Sequence, residues 1–353
     1  IPMGENTKIE WADHSWSPWR GCTKVSAGCA NCYAERNARR NPHVLGSWGS
    51  GAPRVLSSSW SEPMKWNRAS LARWDAARGK GIPLHLPPRL RVFPSLCDWL
   101  DEEVSVEWLA RFLALIHDTP DLDWLLLTKR PENWEERSLA VAQLWSCQQE
   151  HAARFMWLTK WRRDMAAPSN VWFGVSVEDQ ACANARVPIA LQIAAAVRWL
   201  SVEPMLGPVD LRQVPWRHGG MAAKGWSGVL PVADEPDDFV YFSQQGAIQW
   251  IVVGGESGPR SRWCNVEWVR ALAGQCQAAG VPVFVKQLGG APFWNGTMGL
   301  HPVSPGQKMD LAHPKGGDPM EWPRDLRVRE FPKVVVREYR RPEDRCVVEG
   351  GVR

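Results

Sequence analysis

Six apolar runs of four to six residues, each stopping abruptly at polar or charged side chains, constrain this chain more than any other feature. They lie within RLRVFPSLCDW (89–99), DWLLLTKRPEN (123–133), VWFGVSVEDQ (171–180), VRWLSVEPML (197–206), IQWIVVGGESGPR (248–260) and VPVFVKQLGG (281–290). Runs this short and this apolar read as strands buried on both faces, the condition of a parallel sheet. TKIEWADHSW (7–16) reads as a further strand ahead of them. Helical patterns fall in between. Residues 102–117 put Val106, Leu109, Phe112, Leu113 and Ile116 at helical spacing, and residues 182–196 are alanine-rich. Residues 265–280 run from Asn265, a candidate N-cap, to Gly280, a candidate stop. Repeated strand–helix alternation specifies a β/α barrel or a doubly wound sheet.

The barrel is the better reading, because nearly every run carries its chemistry at its C-terminal end. Ser95 and Asp98, Lys129 and Arg130, Ser176 with Glu178 and Asp179, Glu203, Glu256, and Lys286 with Gln287 follow their runs directly. In a barrel those ends converge on one rim, where active sites of this fold sit. Strands also end in polar residues simply because they end at solvent, but six in succession favour a shared site. Residues 207–247 are rich in Pro and Gly and are expected to form a lid loop or insertion. The barrel is expected over residues 4–290, and residues 291–353, with strand-like pieces such as KVVVREY (333–339), as an extension packed on it.

With 44% hydrophobic and 23% charged residues, the 353-residue chain has a globular composition. No apolar run reaches the roughly 18 residues of a membrane span, so no membrane partner is expected. Nine cysteines are an odd number without framework spacing, which argues for a reducing, cytoplasmic setting. Tryptophan is the outlier, 23 against three tyrosines, and most sit inside apolar runs, as Trp124, Trp172, Trp199 and Trp250 do. Core packing is the expectation for these. The net charge of +4 permits a nucleic-acid partner without demanding one, and the short basic groups near Arg36, Lys160 and Arg337 read individually as solvated faces.

The chemistry concentrates in RGCTKVSAGCANCYAER (20–36), where Cys22, Cys29 and Cys32 are spaced C-x6-C-x2-C. Thiolates suit zinc, Cu(I) and iron–sulfur clusters. Structural zinc takes four ligands, and His14 or His43 is near enough in sequence to complete such a set, so that reading stays open. The alternative is a [4Fe-4S] cluster on three thiolates, with one iron left for a substrate or cofactor.

With the motifs around it, this triplet resembles the radical S-adenosylmethionine superfamily. The wider sequence is similar to a phage- and bacteria-borne three-Cys-motif radical-SAM-like family of largely undefined function. WSPWRGCTKVSAGCANCYAER, LLLTKRP, FGVSVED, LSVEPMLGPVDL, VVGGESGPRSR, FVKQLG and EWPRDLRVREFP carry the resemblance, in order, over about residues 8 to 332. Among characterised radical enzymes the likeness is to spore photoproduct lyase, a DNA-repair enzyme. The resemblance implies a partial (β/α) barrel with a C-terminal extension. It also implies S-adenosylmethionine as cofactor, a 5′-deoxyadenosyl radical, and an external electron donor such as a flavodoxin or ferredoxin. Carried over residue by residue, it puts Lys129 and Ser176 at the carboxylate and ribose end of the cofactor, Tyr33 beside it, and Ser95 with Asp98 near the methionyl amine. The pattern departs from the superfamily in two respects. The first cysteine interval is six residues rather than three, and the GGE triplet, Gly254 to Glu256, falls on the sixth run instead of the second. Glu256 is therefore given to substrate or ribose.

The residue chemistry is consistent beside the resemblance. A bound zwitterion needs a cation for its carboxylate, which Lys129 or Arg130 supplies, and a ribose needs short acceptors such as Ser176, Glu178 and Glu203. Cys97 lies where a thiol can return a hydrogen atom to a product radical, although filling space at a strand end is the more ordinary role. Arg130, Arg260 and Arg262 are candidates for phosphate contact, and Lys286 for substrate. Repair or modification of a nucleic-acid base, in DNA or another nucleic acid, is the expected function. A peptide or small-metabolite substrate, or a zinc-stabilised nucleic-acid-binding protein without enzymatic activity, are the alternatives.

Overall fold

Each apolar run forms a strand, and all of them join one sheet. The structure is a computed structural model that describes residues 7–80, 88–215, 247–294, 297–298, 301–302 and 307–332. Seven strands, β1 (His14–Ser15), β2 (Leu90–Phe93), β3 (Leu122–Thr128), β4 (Val171–Ser176), β5 (Val197–Val202), β6 (Trp250–Gly254) and β7 (Val283–Gln287), lie side by side in chain order. Every neighbouring pair is parallel. The sheet is the partial barrel that the sequence implies, and its C-terminal strand ends share one rim.

The connections carry α1 (Tyr33–Ala38), α2 (Ser61–Gly79), α3 (Val106–Asp118), α4 (Trp134–Ser146), α5 (Ala152–Arg163), α6 (Gln180–Ala190) and α7 (Val266–Ala278). Local capping sets their starts. The Ser105 side chain accepts from Trp108 N, so α3 begins at Val106 rather than at residue 102. Asp179 accepts from Cys182 N at 2.8 Å and Asn265 from Glu267 N at 3.0 Å. Gly280, at φ +64°, stops the last turn after α7 as expected. The alanine-rich stretch expected to be helical to residue 196 leaves the helix after Ala190, where residues 191–196 turn the chain into β5.

Continuous apolar strands follow from burial on both sheet faces. Alternate residues point outward to the helices, as Val92, Leu126, Phe173, Leu200 and Ile251 do against Leu109, Phe112, Val187 and Leu272. Their strand neighbours Phe93, Leu125, Trp172, Trp199, Trp250 and Phe284 point inward with Trp11. Trp11 meets Trp199 edge-on at 5.4 Å, and Trp172 meets Trp250 at 5.7 Å. Such pairs add roughly 0.5–1.5 kcal/mol each beyond the area they bury. Gly174 is required by this filling, since a Cβ there would lie 2.4 Å from the Trp199 ring. Trp124, Trp172, Trp199 and Trp250 are all buried, and so is Cys276.

The edge of β7 is covered by the chain after the barrel. Val285 N donates to Val328 O at 2.9 Å and Glu330 N to Val283 O at 3.0 Å, an antiparallel contact that closes an otherwise open edge. Trp322 and Leu326 are buried beside it. Most of the expected lid (216–246) and the strand-like stretch 333–339 lie outside the described residues. None of the described helices is long and apolar enough to cross a membrane.

Candidate active site at the barrel rim

The strand ends bring the candidate residues together as the alternation requires, and they pair with one another. Asp98, beyond β2, accepts from Thr128 Oγ1 at 2.7 Å, from Lys129 N at 2.9 Å and from Arg130 Nη1 at 3.1 Å. Lys129 Nζ, beyond β3, lies 2.7 Å from Glu178 Oε1, beyond β4. Lys286 in β7 lies 2.9 Å from Glu203, beyond β5. Glu256, beyond β6, takes Arg262 in a two-pronged pair at 2.6 and 3.0 Å. The rim is thus a row of opposite charges in mutual contact.

Above it lies the cysteine loop, between a short strand at Trp19–Arg20 and α1. Several residues of that loop are tied down by side chains from the rest of the chain. Arg130 Nη2 donates to Thr23 O at 2.6 Å, and Arg54 Nη2 to Thr23 Oγ1 at 2.9 Å. Ser26 Oγ donates to Glu178 Oε1 at 2.8 Å. Arg262 Nη1 donates to Ala27 O, and Asn31 Nδ2 to Glu256 Oε2, both at 2.8 Å. Tyr33 OH donates to Ser95 O at 2.8 Å, while the Ser95 hydroxyl meets that of Ser15 at 2.6 Å. Gly28 sits directly on Glu178: a Cβ there would lie 2.4 Å from the carboxylate. Close approach, not backbone conformation, is what requires glycine at this position.

Glu178 is the centre of this arrangement, fully buried at 0% exposure. Burial opposes its charge, but Lys129 and Arg186, with hydrogen bonds from Cys182 and Lys129, overcome that and hold the carboxyl down at about 2. Burial likewise raises Glu256, and the Arg262 and Asn31 hydrogen bonds outweigh it to lower the group. Arg130 is buried against Asp98 and Cys22, with Nε 2.9 Å from Glu102. Its guanidinium therefore faces the cysteine loop instead of solvent. Ser176 is buried as well. Arg260 and Tyr33 are exposed.

All three thiols are free and half-buried. Arg130 Nη1 lies 3.6 Å from Cys22 Sγ, and Ser26 Oγ 3.8 Å from Cys29 Sγ. Burial, with Asp98 nearby, pushes the Cys22 thiol up to about 12 against the pull of Arg130. Burial also raises Cys32. Cys97 is half-buried, its thiol raised by burial first, then by Asp98 and Cys22.

Three soft donors on one rim loop fit, by chemistry, a group that takes thiolates. Among the described residues no group of three or more His, Cys, Asp or Glu is gathered as a ligand set. His14, a candidate fourth zinc ligand, is buried and stacked on Trp66 at 4.3 Å.

The sequence reading missed Arg54, Asp101, Arg186, Ser26 and Asn31. Arg54 pairs with the buried Asp101 at 2.9 Å, and Arg186 with Glu178 at 2.9 Å. Only Arg186 carried a local signal, a lone cation in an otherwise small and apolar helix face.

A family described as a protein of unknown function, DUF5131, matches residues 6–313. The chain belongs to the DUF5131 family. No curated protein matches this DUF5131 chain. Among solved structures it is similar to spore photoproduct lyase in a cysteine-to-serine variant, at 14% identity and a TM-score of 0.33, covering 71% of this chain and 58% of that one. A tyrosine-to-phenylalanine variant gives 13% identity and 0.34, covering 72% and 59%. A cysteine-to-alanine variant with dinucleoside spore photoproduct gives 14% and 0.32, covering 71% and 57%. The DUF5131 chain therefore spans less than two thirds of the length of these chains.

Proposed function

We propose that this DUF5131 protein is a radical S-adenosylmethionine enzyme acting on a nucleic-acid base. The observation that carries the reading is the position of three free thiols, Cys22, Cys29 and Cys32, on a loop strapped across the C-terminal rim of a parallel partial barrel. That rim is where this class of fold assembles its chemistry. Cys22, Cys29 and Cys32 would hold the metal group. A [4Fe-4S] cluster bound there would supply one-electron reduction of the S-adenosylmethionine sulfonium, with electrons from a donor such as a flavodoxin or ferredoxin.

The chain's own residues do the positioning. Arg130 fixes the first arm of the loop through Thr23 and offers Cys22 a cation that favours a thiolate. Glu178 fixes the middle through Ser26, and Glu256 with Arg262 the second arm through Asn31 and Ala27. Lys129 and Lys286, both partly exposed, are the cations at which an incoming carboxylate competes with Glu178 and Glu203. The packed indoles beneath the rim exclude water from its floor.

The test is anaerobic purification with iron, sulfide and zinc quantified, followed by reductant and S-adenosylmethionine. About four irons per chain and formation of 5′-deoxyadenosine, both lost in Cys29→Ala, are expected. One zinc with no iron and no cleavage would end the radical reading in favour of a structural metal site.

A further inference from the structure

The loop that follows β6, GESGPRSRW (255–263), leans against the cysteine loop and builds a second feature beside it. Trp263 is 62% exposed, the most open of the large apolar rings on this face, although the loop before it is held at two points. Arg262 is bound by Glu256 and Ala27 O, and Asn31 Nδ2 holds Arg260 O at 3.1 Å. Trp263 itself rests against Phe293, with ring centroids 5.5 Å apart. An indole this exposed, in tilted contact with one neighbouring ring and carried by a hydrogen-bonded loop, has aromatic surface free for stacking.

Two cations stand on or against the same loop. Arg260 adopts φ +61°, a left-handed backbone that a non-glycine residue rarely takes, and its side chain is exposed. The Arg36 guanidinium lies close over Gly258, where a Cβ would meet it at 2.8 Å. Gly258, at φ +102°, is therefore needed for that approach. Among the described residues neither Arg36 nor Arg260 has a carboxylate in ion-pair contact, while the nearby Lys24 and Arg39 share Glu35. Residues 20–43 hold five Lys and Arg against one carboxylate, so this segment carries a net +4, the charge of the whole chain.

We propose that Trp263, Arg260 and Arg36 form a binding face for single-stranded nucleic acid, with the indole stacking on one base and the two guanidiniums taking flanking phosphates. Every base offers a π-face to an open indole once it is unpaired, whereas a duplex hides those faces within its stack. Two guanidiniums on or against the loop that carries the indole suit the phosphates of a phosphodiester chain. The inference rests on the reading of this rim as the active face, and it names the substrate class that the rim would receive.

The experiment is fluorescence anisotropy of a fluorescein-labelled single-stranded oligodeoxynucleotide against the metal-free full chain, titrated at several salt concentrations. Trp263→Ala is expected to weaken binding by about five- to a hundredfold, and Trp263→Phe to retain most of it. Arg36→Ala with Arg260→Ala should flatten the salt dependence by about 0.7 for each phosphate no longer neutralised, about 1.4 in all. Wild-type affinity in Trp263→Ala, an unchanged salt slope in the double arginine variant, or tighter binding of the matching duplex would each overturn the proposal. So would inorganic polyphosphate competing as well as the oligonucleotide, since that outcome requires charge alone. No metal takes part in the titration, so a failure here leaves the radical reading standing, and a zinc result there leaves this one standing.

Discussion

Glu178→Gln tests whether a single buried carboxylate organises the rim. The substitution preserves shape but leaves Lys129 and Arg186 facing a neutral amide. Glu178 titrates at about 2 instead of 4.5, and a difference of that size corresponds to about 3 kcal/mol of stability at neutral pH. Removing one partner of a buried ion pair costs a similar 3–5 kcal/mol or so, which makes the figure consistent from two directions. Because the folded value lies below the unfolded one, the contribution is complete above about pH 4.5 and is lost as the pH falls toward 2. Urea denaturation of wild type and variant at neutral pH and at about pH 3 measures both ends. A local readout separates loop from fold: a neutral amide is a weaker acceptor for Ser26 than the carboxylate, so alkylation of Cys29 by iodoacetamide in the metal-free protein should accelerate. Adding Lys129→Met should restore part of the stability by removing one stranded charge. A loss under about 1 kcal/mol at neutral pH, or a difference that grows on acidification, would refute the reasoning.

Other outcomes follow from the same contacts. Gly28→Ala places a Cβ against Glu178 and should cost about 1–3 kcal/mol while exposing Cys29 to alkylation, checked by denaturation and thiol labelling. Arg130→Met removes the cation beside Cys22 and the anchor of Thr23, so metal content per chain should fall in reconstitution although the variant stays folded by circular dichroism. At the opposite end of the barrel, burial raises Asp123 to about 6 even with Arg89 and Arg91 nearby. Its folded value exceeds the unfolded one, so ionisation between about pH 4 and 6 should remove up to about 3 kcal/mol of stability as the pH rises. Asp123→Asn should abolish that dependence in a pH series of urea melts.

The strands were legible because burial on both faces leaves no polar residue inside a run. Leu122–Thr128 and Trp250–Gly254 could hardly be anything but parallel strands, and a residue just past each run had to stand on the rim. Asp98, Lys129, Glu178, Glu203 and Glu256 stand just past their strands for that reason. Their partners were not legible. Sequence shows a charge but not which neighbouring strand end it faces, so groups read as ligands for a cofactor or substrate prove to be engaged with one another and with the cysteine loop. Arg54 and Asp101 lie in irregular segments, where no periodicity distinguishes a buried ion pair from two solvated charges. Helix ends failed where a turn had to be made, as at residues 191–196.

The straps on the cysteine loop reach it from far along the chain. Ala27 and its clamp Arg262 are separated by 235 residues, and Ser26 and Glu178 by 152. A chain growing from its N-terminus therefore presents Cys22, Cys29 and Cys32 long before anything exists to hold them. During synthesis these thiols are loose in a nascent polypeptide, open to oxidants and to any thiophilic ion, and only completion of the sixth strand and the loop after it gives them their final posture. A metal held as proposed would meet its finished ligand loop only after the sixth strand and the loop after it are made.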